Sequence, residues 1–356
     1  MRLAKLDEAN AFWDANEPQG IITLEKNTEV QGLIDLQEAD YSDLNIIGGK
    51  AANFAEILNV TIDGNPIPTP ESSFAIPFYY YEKHLQEAGL DVFIEQMLQD
   101  PDFLNSQSIR RAKLEELQEK IKTYPLNQDL FNLVKNKINN FQDFSAFRFR
   151  SSTNAEDLED FSGAGLYNSY SAKENHSTKT IKNAIKKVWA SLWNWRAFEE
   201  RSYYNIVHAS CAMGILVHRS FPDENANGVA ITKNLYNTNP GYIINVQFQE
   251  HSIVFPEPGI LHDQIMLLTW SIVPGQDFMA EYLTFSNIPE LGGQTVMTND
   301  ELMELGAYCK ALKSHFYSLP HNCDCTEVDF GLDIEFKVDS TVSPRKIYIK
   351  QARYYK

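Results

Sequence analysis

Hydrophobic and polar positions change period along this chain, and each change marks an element. In SAFRFRSS the alternation is strict. Phe147 and Phe149 share one face and Arg148 and Arg150 the other, as in a strand with one covered side. CAMGILVHRSF (211–221) is a compact apolar strand, and GVAITKN, YIINVQF and SIVF read as further strands. FAIPFYYYEKHLQ reads as a strand end running into a helix. IIGGKAANFAEIL starts with paired glycines and continues at helical spacing through Ala52, Ala55, Ile57 and Leu58. Residues 91–140 are helical, with breaks at Asp100-Pro101 and Tyr124-Pro125. The spacing of Ile181, Ile185, Val188 and Leu192 predicts the longest helix over 178–204. After 260 the pattern turns helical, most clearly over 299–317. DFGLDIEFKV and KIYIKQARYY then predict a terminal strand pair around a turn at Asp339–Pro344. Residues 1–40 are polar with short apolar pieces and read as an extension or tether. Helices in the first half and strands spread through both halves predict an α+β fold rather than a regular βαβ succession.

At 356 residues, the chain is long enough for two or three packed lobes. Its 31 basic and 48 acidic residues give a net charge of −17, which argues against general nucleic-acid binding but leaves room for a local cationic pocket. No apolar run reaches the roughly 20 residues that span a bilayer, so no membrane association is expected. The N-terminus lacks the apolar core of a signal peptide, and four cysteines are too few for a disulfide framework. A cytoplasmic location is the expectation.

Three stretches carry candidate chemistry. Gly48-Gly49-Lys50 allows close backbone approach and puts a lysine at a helix start, a combination that attracts phosphate; it equally describes a turn before a surface lysine. In RSSTNAEDLEDFSGAG, Arg150 leaves a strand on its polar face. Ser151, Ser152 and Thr153 can cap or bind phosphate, and Glu156 or Asp157 can orient an arginine. Gly163 and Gly165 supply flexible backbone N–H groups. The same residues also suit a capped turn before a helix. Asp333 and Glu335, two apart on a strand, share a face, and oxygen ligands at that spacing suit Mg2+. Gln351 and Arg353 follow with matching parity in the next strand; a solvated strand face is the plainer alternative. His321, Cys323, Asp324 and Cys325 hint at zinc, but no second cysteine pair stands at zinc-site spacing. No Gly-x-Ser-x-Gly or HExxH sequence supports hydrolase chemistry.

Gly-Gly-Lys, RSS…ED…SGAG, ASLW…RAF…R, NGVA and DIE…QAR occur in that order. Together they resemble the N-terminal ATP-binding (PEP/pyruvate-binding) domain of pyruvate phosphate dikinase and phosphoenolpyruvate synthase, over residues 44–354. The resemblance implies an ATP-grasp-type fold of two lobes, 41–210 and 211–356, after a 1–40 extension, with the nucleotide between them. It implies that Lys50 and Arg150 contact ATP phosphates, with Arg353 beside them, and that Gly163 and Gly165 belong to a mobile loop over those phosphates. Glu335 and Gln351 would hold Mg2+, supported by Asp333, and the strand at Leu216–His218 would lie by the adenine. The family's acceptor is a histidine on a swivelling domain, so a phosphohistidine-carrying partner, in cis or in trans, is implied.

There are departures. His218 stands where the family often has Gln. The usual Gly-Leu-Gly-Glu is replaced by NVQFQE, with Glu250 as a remnant, and PESSF lacks a glycine before the phenylalanine. The expected function is an ATP- and Mg2+-dependent phosphotransferase module; the alternatives are a non-catalytic nucleotide-binding or interaction module and a scaffold that no longer binds nucleotide.

Overall fold

The computed structural model describes residues 4–355 apart from 17, 142–145, 159–160, 222–223, 252, 254–255, 273 and 321–324. Most of SIVF, and the residues 321–324 of the zinc alternative, therefore lie outside the described residues. Among the described residues the strands are β1 (Ile34–Asp35), β2 (Thr61–Ile62), β3 (Asn65–Pro66), β4 (Phe74–Ile76), β5 (Ala146–Thr153), β6 (Tyr170–Lys173) and β7 (Met213–Arg219). They continue with β8 (Glu224–Ile231), β9 (Gly241–Phe248), β10 (Asp263–Leu268), β11 (Met279–Thr284), β12 (Leu332–Asp339) and β13 (Lys346–Tyr354). The fold is mixed helix and sheet, α+β as the pattern predicts. A five-stranded sheet has the order β1-β4-β7-β5-β6, a six-stranded sheet the order β11-β10-β9-β8-β12-β13, and β2-β3 form a small hairpin.

The five-stranded sheet has an apolar face and a polar one. Phe147 and Phe149 of β5 go into a core shared with the helices of the first half, including Leu114, Leu117, Trp189 and Trp193. The six-stranded sheet is covered on one side by the helix Asn299–Ser318, whose Leu302, Leu305, Cys309, Leu312 and Phe316 pack on Ile244, Ile334 and Phe336. A capping box at Thr298 and Glu301 starts that helix. Gly228 of β8 makes room for Phe336 on the neighbouring strand. A Cβ there would lie 2.0 Å from the ring, so the Asn-Gly-Val-Ala stretch is a packing requirement.

The helix Gly49–Leu58 joins the two sheets, packing on β5 and β7 of one and β13 of the other. Its Ala51, Ala52, Phe54 and Ala55 form a core with Ala75 and Leu216, while Ile57 enters the core of the six-stranded sheet. Glu56, buried on the same helix, accepts from Tyr41 N at 2.7 Å and lies 2.7 Å from His315 Nε2 of Asn299–Ser318.

Four expectations need correction. The 178–204 helix is broken into Ile181–Ala190, a 3-10 turn Ser191–Trp193 and Trp195–Tyr203. The Ser191 hydroxyl donates back to Val188 O at 2.6 Å, and the break sends Leu192 and Trp193 into the core. The longest described helix is instead Asn299–Ser318. Residues after 260 are not simply helical, because β10 and β11 extend the second sheet before that helix begins. The 1–40 stretch is not a free tether along its second half. Ile22 bridges Ile206, β1 pairs with β4, and Leu36 and Ala39 are buried. Finally, β7, grouped by the sequence with the second lobe at 211–356, lies inside the first sheet between β4 and β5.

Candidate functional site

The polar faces of the two sheets meet along β5 and β12–β13. Gly48 positions one corner. It has φ +83°, and a Cβ on it would lie 2.3 Å from Ser152 O, so the helix start can press against the end of β5 only with glycine there. Ser152 Oγ accepts from Ala51 N at 2.9 Å, capping one of the helix's free N–H groups. This brings Lys50 Nζ to 2.9 Å from Ser151 O and 3.1 Å from Glu156 Oε1. Glu156 thus pairs with Lys50, not with an arginine. Its loop is held by Tyr167, whose hydroxyl donates to Ala155 O at 3.2 Å and in turn accepts from the fully buried Arg201 at 3.1 Å. Gly163 and Gly165 both have positive φ. Gly163 is wedged against Ala155 and Glu156, whereas Gly165 faces open space.

Arg150 crosses from one sheet to the other. Its Nη2 donates to Glu335 Oε2 at 2.9 Å and to Gln351 Oε1 at 2.7 Å, and its Nη1 to Lys350 O at 3.1 Å. Arg353 forms a two-point contact with Asp333 Oδ2, at 3.0 and 2.5 Å. The register explains the grouping: Asp333 lies opposite Arg353 and Glu335 opposite Gln351.

Simple alternation would put Ile347, Ile349, Gln351 and Arg353 on one face. A bulge resolves the conflict. Phe336 pairs with Ile349 and Glu335 with Gln351, leaving Lys350 as the extra residue. Ile347 and Ile349 stay in the core, while Gln351 and Arg353 turn to the cleft with Lys350, whose Nζ lies 3.4 Å from Glu335 Oε2. Lys350 was not foreseen; the parity clash in its own strand was the available signal.

Charge shapes the ionisation of the site. Burial opposes ionisation of Glu335, but Arg150, Lys350, Lys50 and Arg353 outweigh it and hold the carboxyl well below the usual carboxylate range. Burial pushes the Lys350 ammonium down, Glu335 pulls it back and Arg150 opposes it again, leaving it at about 8. Lys337, two residues beyond Glu335 and ion-paired with Glu224, is pushed down to about 7 by burial and then by Lys350, Arg148 and Arg150. Glu335 and Gln351 offer two hard oxygens that share one donor nitrogen, so a single cation could be shared by both. Among the described residues, no group of three or more His, Cys, Asp and Glu side chains gathers as a metal site.

From Arg150 a cavity of ≈ 570 Å³ opens toward the start of β5, lined by Arg148, His218, Glu250, Glu335, Lys337 and Lys350 among others. His218 is buried. Its Nδ1 lies 2.6 Å from Arg219 O, so Nδ1 carries the proton, and burial followed by Arg150 keeps the ring neutral. Leu216 is placed differently: its side chain is fully buried under Gly49–Leu58 and does not line the cavity.

The family model for the pyruvate phosphate dikinase AMP/ATP-binding domain matches residues 44–356. The chain belongs to this family. Among curated proteins it is similar to a rifampicin phosphotransferase from a Streptomyces species, 28% identical over 200 residues, covering 56% of this chain and 22% of that protein. It is also similar to the phosphoenolpyruvate synthase of Pyrococcus furiosus, 24% identical over 370 residues, covering 89% of this chain and 43% of that protein. A probable phosphoenolpyruvate synthase of Archaeoglobus fulgidus is 23% identical over 332 residues, covering 89% of this chain and 41% of that protein. The chain therefore spans less than half the length of these relatives. The family is one of AMP/ATP-binding domains. No described helix is long and apolar enough to cross a membrane.

Proposed function

We propose that the chain is an ATP- and Mg2+-dependent phosphotransferase module of ATP-grasp type, with the nucleotide bound between its two sheets. The observation that carries this is Arg150, which leaves the five-stranded sheet and meets Glu335 and Gln351 of the six-stranded one. In this reading the first lobe runs from the Gly48 region through β7 and the second from β8 to the end, close to the expected 41–210 and 211–356.

Phosphoryl transfer is largely positioning and charge stabilisation, so it calls for cations and a metal more than for a nucleophile. Lys50, Arg150 and Arg353 would contact phosphates, and Gly163 and Gly165 would lie in the loop over them. Glu335 and Gln351 would hold Mg2+, with Asp333 orienting Arg353; the metal would neutralise phosphate charge there. His218 would stand at the adenine with the neutral Nε2 as an acceptor. The acceptor of the phosphoryl group would be a histidine on a swivelling domain, in cis or in trans, and the site of action would be the cytoplasm.

The test is calorimetric titration of ATP, with and without Mg2+, on the wild type and on Glu335→Ala. Mg2+-dependent binding that is at least about 100-fold weaker in the variant is expected, since the variant loses a charged ligand. Equal binding by both proteins would reject the metal assignment, and no binding by the wild type would reject the nucleotide site.

A second reading, a non-catalytic nucleotide-binding module, is favoured by the segment that replaces Gly-Leu-Gly-Glu. Asn245 accepts from Gln264 at 3.0 Å, and Gln247 bonds Leu261 O, Phe248 N and Ser286 Oγ. These amides are used inside the fold rather than offered to a ligand. AMP formation with a histidine-bearing partner would decide for the first reading.

A further inference from the structure

Of the six cations lining the cavity, three are answered by its carboxylates. Arg150 and Lys350 hold Glu335, and Lys337 holds Glu224. Arg148, Lys173 and Lys179 have no carboxylate within ion-pair distance among the described residues. Glu250 and Glu335 act on Arg148 only from farther away. In a chain with 17 more acids than bases, an unanswered cationic group inside a cleft is a departure from the surrounding surface.

Sheet register gathers these groups. Arg148 sits opposite Ser171 on β6 and His218 on β7, and Ala146 sits opposite Lys173. All face the cleft, in rows one cross-strand pair apart. The Arg148 guanidinium donates to Ser171 Oγ at 3.1 Å, its one side-chain hydrogen bond among the described residues. A further group waits beside it. Ser220 Oγ is buried without a hydrogen-bond partner among the described residues, although buried polar atoms normally find one. An arginine, two lysines and two serine hydroxyls form a surface suited to the oxygens of a phosphate group.

We infer that this end of the cleft is a second oxyanion subsite, which takes a phosphate carried on the nucleoside end of the nucleotide. It lies one residue pair along β5 from Arg150, roughly 7 Å. A ligand whose 5′-phosphates lie at Lys50, Arg150 and Arg353 would therefore extend its other end into the subsite. The inference rests on the nucleotide reading above and adds the ligand's class: a nucleotide phosphorylated on its ribose as well as at the 5′ position.

The experiment compares adenosine 3′,5′-bisphosphate with AMP by calorimetry on the full chain. The wild type is expected to bind the bisphosphate about tenfold more tightly than AMP, the gain of one charge-assisted contact. That ratio should fall toward one in Arg148→Ala and in the Lys173→Ala/Lys179→Ala double variant. The double variant changes two exposed side chains, so it guards against a folding defect. Lys50→Ala should weaken both ligands and preserve the ratio. A wild-type ratio near one, with AMP bound normally, overturns the subsite and leaves the nucleotide reading intact. AMP binding strengthened by inorganic phosphate, with no advantage for the bisphosphate, also overturns it, because the group would then be a free phosphate. If neither nucleotide binds, the nucleotide reading fails and the subsite with it.

Discussion

The two ends of the cleft treat positive charge differently. At the end formed by the helix start and β13, each cation has a fixed answer: Lys50 has Glu156 and Ser151 O, Arg353 has Asp333, and Arg150 has Glu335 and Gln351. At the β6 end, Arg148, Lys173 and Lys179 have no such carboxylate partner among the described residues. Paired ions hold one another in place, so the first end is organised before any ligand arrives. The second end keeps its charge available, and its order depends on what enters. The price of pairing is that a ligand must compete with the partners already present.

Removing one member of a buried pair strands the other, so the largest effect is expected at the paired end. Glu156→Ala, which leaves Lys50 facing only a carbonyl, should cost about 3 kcal/mol in urea unfolding. A loss under about 0.5 kcal/mol would mean that ionic pairing does not organise this corner.

A smaller effect concerns pH and the bulge residue. Lys350 has a folded-state pKa lowered to about 8, below its value in the unfolded chain. Below pH 8 both states are protonated, and the folded state bears the cost of a buried charge. Between about 8 and 10.5 the unfolded state binds more protons, so stability rises with pH. Relative to Lys350→Met, the wild type should therefore gain on the order of 2 kcal/mol from pH 8 to pH 10. A flat difference between the two proteins across that range would contradict the buried placement of this ammonium.

The smallest effect is expected at the unpaired end. With no partner to strand, Lys173→Ala/Lys179→Ala should unfold within about 0.5 kcal/mol of the wild type. A loss above about 1 kcal/mol would reveal pairing at this end and erase the contrast.

Much of this was legible in the sequence because alternation and chemistry coincide. FRFRSS announces both a strand and the face its arginines take, and Gly-Gly-Lys marks a helix start pressed against another backbone. What was not legible depended on tertiary context. The break at Ser191–Trp193 interrupts a helical pattern in which buried Leu192 and Trp193 satisfy the core better than another helical turn would. β10 and β11 are short apolar runs beside a long helix, where periodicity alone does not separate strand from helix. The roles of Leu216 and His218 differ because residues two apart on one strand share a face but not a neighbour: a helix covers the first, and the cavity opens beside the second. Of Glu156 and Asp157, either of which could orient an arginine, Glu156 takes Lys50 instead and Asp157 acts on Arg353, because the fold, not the local sequence, decides which charge comes within reach.

The extra residue in β13 acts as a change of phase within one strand. On one side of Lys350, odd-numbered positions face the protein interior; on the other, they face the cleft. A substitution pattern that is conservative for the first half is disruptive for the second, whereas deleting Lys350 alone would remove the bulge and leave Ile349 inward and Gln351 toward the cleft. The two halves can therefore accept change on separate terms, provided the frame between them is kept.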